Sequence, residues 1–379
     1  MDLDEARELA SLALPDVFPR VGSADDGPWS THAIGRDVLP LPELVLVGLR
    51  ELRGLKSWGP EEKLRWGVDG RVGTIPFSMT LQKFGPRLYL PSSVGKAGYN
   101  TVLSRLQKAA SLAERYLKSL AQAQIEAGNV TIVNEYSRFD GAYRFFREAA
   151  KKAYDAPPPN PVVTATDEAG AATGWSHEPF RPQVEGGYLA GAMLDAYFSR
   201  LEHMLVLFLP FAGFDPENSA VVRFVGSTWD EKWKRLFDVN SDKSAKLAYD
   251  SLKQLKESVR NPIAHGGFGK KGTSFLFHVE RVGALPALLG NHGHTTELSI
   301  TRIPEGSYDG LCRDLDAVDS FLRRSDLWAA MQYAEAGLNV PLDPDFRQKC
   351  MDASRSESDM QEFLEYVCYV QDTHANMDY

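Results

Sequence analysis

Arg260-Asn261-Pro262-Ile263-Ala264-His265-Gly266-Gly267 stands where a long amphipathic run ends. Upstream of it, Ala248, Leu252, Leu255 and Val259 recur at steps of four, three and four. That is the apolar stripe of a helix packed on one face, and it predicts a helix whose last residue is Arg260. The residue before a proline is pushed out of the helical region, so Asn261 is expected to leave the helix. It would then cap whatever follows, with Pro262 in the first turn. A break at this point brings Arg260 and His265 toward one cleft, although they would face different sides of an unbroken helix. The Gly266-Gly267 pair lets a ligand approach the backbone closely.

Arg260 is a fixed cation with a planar fork of donors that matches a phosphate, and His265 is an imidazole that can move a proton near neutral pH. The pair suits phosphodiester cleavage without a metal. A plain helix terminus fits the same residues, because caps and terminal histidines are common. The polar Asn261, the apolar Ile263-Ala264, the glycine pair and the helix leading in favour the functional reading.

Arg-Asn-x3-His-Gly after a long helix resembles the signature of the HEPN superfamily, all-helical domains common in prokaryotic toxins and antiviral defence. The run from Tyr188 to Leu205 is similar to the long helix that this family places before its motif. The likeness covers about residues 181–340, and its specific part is the motif. It implies a mainly α protein with a HEPN-like helical bundle, acting as an endoribonuclease toxin or defence effector. It also implies a homodimer in which two motifs face each other across the dyad. One His265 would assist deprotonation of the RNA 2′-hydroxyl, the other would protonate the leaving oxygen, and the Arg260 pair would stabilise the charged transition state. The products would carry 2′,3′-cyclic phosphate and 5′-hydroxyl ends. Asn261 would fix the backbone or contact substrate, and Glu202, on the long helix beside Asp195 and Ser199, would orient the Arg or the His. RNA is the implied substrate, an antitoxin or sensor protein a possible partner, and no cofactor or metal is expected. A second reading, of a different class, is a non-catalytic HEPN-like sensor, nucleotide binder or scaffold in which Arg260 and His265 hold a ligand or an interface.

The rest of the chain sets bounds on this reading. Its 379 residues exceed the usual single-domain range, so two or more domains are expected. A net charge of −9 excludes a protein that coats nucleic acid non-specifically, since that binding rests on many Lys and Arg. The acid is uneven: residues 343–379 alone carry −6, whereas residues 258–279 hold no Asp or Glu. The local potential around the motif is therefore expected to be positive, and Lys270 and Lys271 are candidate contacts for substrate phosphates. Gly267 to Gly272 spells G-x-G-x-x-G, but it follows a helix and precedes a strand-like run, the reverse of the dinucleotide-binding order. Cys312, Cys350 and Cys368 match neither a disulfide framework nor a metal-ligand spacing. His292-Gly293-His294 has no third ligand nearby in sequence. The acidic N-terminus lacks a secretory pattern and the longest apolar stretch, Met204 to Phe214, is too short to span a bilayer, so a cytoplasmic protein without a membrane partner is expected.

Turn signals and periodicity divide the chain into five expected pieces. Residues 1–96 read as a small α/β domain with strands Leu64–Val68, Gly73–Leu81 and Arg87–Leu90, separated at Asp69-Gly70 and Gly85-Pro86. Residues 97–156 read as a helical hairpin and the Pro-rich 157–180 as a linker. Residues 181–340 carry the HEPN-like domain, and 341–379 an acidic C-terminal helix.

Overall fold

A computed structural model describes residues 1–20, 28–176, 178–216, 220–261, 268–269, 272–289, 296–297, 303 and 305–377. The chain is predominantly helical with a smaller strand-rich region, and it divides into two compact units. The first comprises Met1–Ala127 with Glu365–Tyr379, the second Gly128–Leu364. No helix among the described residues is long and apolar enough to cross a membrane.

The first unit contains α1 (Leu3–Ala13), β1 (Val17–Pro19), β2 (Trp29–Ala33), α2 (Glu43–Val47), β3 (Ser57–Trp58), β4 (Leu64–Val72), β5 (Ile75–Gln82), β6 (Gly85–Pro91) and α3 (Lys96–Glu126). Helix α1 starts at a capping box in which Asp2 accepts the Glu5 N–H at 2.9 Å and Glu5 accepts the Asp2 N–H at 3.1 Å. Both donors would otherwise be orphaned at the helix end. The strands form one antiparallel sheet in the order β1-β4-β5-β6-β2, with β3 added to β4. Alternation sends Val68, Val72, Phe77, Met79, Leu88 and Leu90 to one face, where they are buried with Leu49, Leu52, Val102 and Leu106 in a single core. Each fully buried Leu or Phe contributes about 1.5–3 kcal/mol over its exposed state.

Two expectations for this region change. Asp69-Gly70 is no turn: β4 runs through it, pairing Asp69 with Ser78 and Gly70 with Phe77, and the chain reverses at Gly73 instead, where φ is +58°. Gly70 is required by packing, since a Cβ there would lie 2.7 Å from both Leu55 and Phe77. Helix α3 groups with this unit and the next helix with the other, so residues 97–156 do not form one hairpin unit.

The second unit is built on α4 (Tyr136–Tyr154) and α5 (Arg181–Leu207), which pack along each other. It continues with α6 (Ala220–Gly226), α7 (Trp229–Leu236) and α8 (Lys243–Leu255), then with helices Glu305–Leu322, Trp328–Glu335 and Pro344–Ala353. The chain's last helix is Glu357–Asn376, whose residues from Glu365 on belong to the first unit, so the expected C-terminal piece holds two helices rather than one. Residues expected as a linker form a hairpin, β7 (Val162–Thr166) with β8 (Ala172–Ser176). Its turn is stabilised by Asp167, whose carboxylate accepts the N–H groups of Ala169 and Ala171, and by Gly170 at φ +79°. Downstream of α8, short strands Phe268–Gly269, Gly272–Val279, Gly283–Leu289 and Thr296–Glu297 make a four-stranded antiparallel sheet.

A buried ionic cluster ties the helices of this unit. The Arg200 guanidinium, 2 % exposed, bonds Asp140 of α4 at 2.7 Å and both oxygens of Asp319 on Glu305–Leu322 at 2.6 Å. It also packs on the rings of Tyr143 and Tyr197, 4.5 and 4.7 Å from their centroids. Tyr197 in turn donates to Asp319 at 2.9 Å.

Candidate functional site

Helix α8 is placed by its own apolar stripe, with Ala245, Ala248, Tyr249, Leu252 and Leu255 all buried. Helix α7 orients it further. Thr228 caps α7 through a box with Glu231, and the Tyr249 hydroxyl donates to Asp230 in the first turn of α7. Lys234 also reaches Asp230, at 3.0 Å. Burial alone would raise the Asp230 carboxyl, but these two donors together hold it below its ordinary range.

From Lys256 to Arg260 the helix widens into a π turn. The Asn261 N–H donates to the Lys256 carbonyl, and Asn261 keeps helical angles of φ −64° and ψ −43°. The expectation that Asn261 leaves the helix is thus corrected. The wide turn keeps the backbone hydrogen-bonded up to the residue before Pro262, and this outweighs the steric bias against a helical residue at that position.

This turn sets two cations against α5. Arg260 Nε donates to Asp195 Oδ1 at 2.7 Å, and its Nη1 lies 3.4 Å from the Asn261 side-chain oxygen. Nη2 has no hydrogen bond among the described residues. One turn earlier, the Lys256 ammonium lies 5.5 Å from the ring centroids of both Phe198 and Trp229. Burial holds its amine below the ordinary 10.5, with Glu202 working against that and Arg260 adding to it. The acid partner of Arg260 is therefore Asp195, two turns before Glu202 on the same stripe of α5. Glu202 instead accepts from Lys232 of α7 at 3.4 Å. Lys232 is 4 % exposed, so this contact supplies the charge partner of a buried ammonium.

His265, Lys270, Lys271 and the His292-Gly293-His294 segment lie outside the described residues. Among the described ones, the geometry joins Arg260, Asn261, Asp195 and Lys256 at the mouth of α8. The arrangement is suited to an oxyanion: a guanidinium anchored through one edge with its outer edge turned away from the anchor, beside a second positive charge. No protein-family model, curated protein or solved structure matches this chain.

Proposed function

We propose that the chain is a HEPN-type endoribonuclease, metal-independent, cleaving RNA by attack of the 2′-hydroxyl. The observation that supports this reading is the anchoring of Arg260: Asp195 takes Nε and Asn261 lies against Nη1, which leaves Nη2 for a phosphate at the end of α8. Such preorganisation stabilises charge as it develops in the transition state. In the proposed reaction one His265 takes the proton of the 2′-hydroxyl, the 2′-oxygen bonds to phosphorus, and the 5′-oxygen leaves with a proton from the second His265 of a homodimer. A cyclic 2′,3′-phosphate and a 5′-hydroxyl result. Lys270 and Lys271 are proposed to hold flanking phosphates. The proposed biological role is that of a cytoplasmic toxin or defence effector, held in check by a partner.

Chelator-treated protein tests this directly on one RNA and its 2′-O-methyl counterpart. Cleavage of the first to cyclic ends, with the second intact, is expected. Equal cleavage of both would overturn the chemistry. RNA binding without any cleavage would favour the non-catalytic ligand-holding module.

A further inference from the structure

The sheet of the first unit has one face in the core and a second that is chemically unusual. The register sets Asp69 beside Ser78 and Ser78 beside Tyr89, with Thr80 two residues further along the same face. Trp58 of β3 lies across Gly67, where any Cβ would strike its indole. Trp29 of β2 carries the Arg20 guanidinium over its ring at 4.9 Å. These side chains line a cavity of about 280 Å³.

Two of the cavity's shielded donors are unspent among the described residues. Thr80 is 2 % exposed, and neither its hydroxyl nor the shielded Trp58 Nε1 has a hydrogen-bond partner among the described residues. Buried donors of this kind are costly to leave unmade and mark the place of a missing partner. The Asp69 carboxylate likewise makes no hydrogen bond or ion pair among the described residues. Gln82 donates to the Tyr89 hydroxyl at 2.7 Å and so fixes the phenol at the rim. A merely solvated sheet face needs neither two indoles nor an orphaned hydroxyl.

We propose that this cavity binds a guanine base. Flat aromatic walls suit a planar heterocycle. A carboxylate accepts two adjacent N–H donors, and among the nucleobases guanine presents such a pair, N1–H and the 2-amino group. The Trp58 indole N–H and the Thr80 hydroxyl are donors for its acceptor atoms. Adenine offers an acceptor where Asp69 needs a donor. The volume falls just under the ~300–1,000 Å³ of pockets that enclose a drug-sized ligand, so the base enters while ribose and phosphate stay outside. Arg20 is the cation lining the cavity that a phosphate would meet. The guanine is supplied by a free nucleotide or by a single-stranded RNA, and the site does not depend on the reading of Arg260.

The test is calorimetric titration of the full chain, carrying His265→Ala to prevent turnover, with GMP, AMP and two uridine-rich hexamers that differ by one G or A. GMP should bind at least about tenfold tighter than AMP. Asp69→Asn should erase that preference, and Thr80→Val should weaken GMP while circular dichroism and melting stay unchanged. A G-hexamer far tighter than GMP would assign the source to an RNA strand, and equal affinities to a free nucleotide. Absence of binding by GMP and the G-hexamer at millimolar concentration would overturn the proposal. Equal affinity for GMP and AMP, or a guanine preference that survives in Asp69→Asn, would do the same.

Discussion

Arg260 Nε and Asp195 Oδ1 lie 2.7 Å apart and join the last turn of α8 to the middle of α5. Both side chains are partly exposed, so the ion pair contributes under about 1 kcal/mol to stability. Its consequence is orientation. Asp195→Asn should leave the urea midpoint nearly unchanged and lower RNA cleavage by about tenfold or more, through loss of a positioned guanidinium. A variant that cleaves at the wild-type rate would show that Arg260 needs no anchor.

Arg200 has the opposite profile. Removing it leaves Asp319 buried without its hydrogen-bonded cation, and Asp140 with Arg144, at 2.6 Å, as its remaining charge partner. Arg200→Met should destabilise the second unit by about 3–5 kcal/mol, read from chemical denaturation. Replacing all three members with apolar residues of similar volume should recover much of that loss.

The cap of α7 is a smaller and separable test. Thr228→Ala removes the hydroxyl that accepts the Glu231 N–H and should cost about 1 kcal/mol. Because α7 orients α8 through Asp230 and Tyr249, a parallel fall in cleavage is expected.

His203 sets a pH dependence. Burial holds its imidazole below the ordinary 6.5, and Nε2 accepts the Glu135 N–H at 2.9 Å, which requires the neutral ring. As pH falls through 6.5 the unfolded chain takes up this proton first. The contribution of the neutral ring is therefore complete above 6.5 and is lost as pH drops through the folded value. The stability of the second unit should decline below 6.5, and His203→Gln should flatten that decline. Asp316, held below its ordinary 3.8 by its hydrogen bond to Arg147, loses its contribution only in a more acid window.

Local signals were legible where the physics is local. The apolar stripe of Ala248, Leu252 and Leu255 located α8, and the run from Tyr188 to Leu205 falls within α5. Glycine misled where its reason is tertiary: Gly70 looks like a turn residue but is there because Leu55 and Phe77 leave no room for a Cβ. The π turn at Lys256–Arg260 is invisible to a periodicity of 3.6, since it inserts one residue into the ladder. Within the site, spacing places Asp195, Ser199 and Glu202 on one stripe. Which acid meets Arg260 depends on how α8 crosses α5, and no spacing along either helix states that. Arg200 was hidden because a lone arginine in an apolar run gives no sign of its two partners, 60 and 119 residues away.

The most direct test of the account is the single-turnover cleavage of a mixed-structure RNA, in excess chelator, by wild type, Arg260→Ala and His265→Ala. Cleavage to 2′,3′-cyclic ends by the wild type, lost in both variants while their melting curves stay unchanged, is the predicted result. Wild-type rates in either variant would contradict the account.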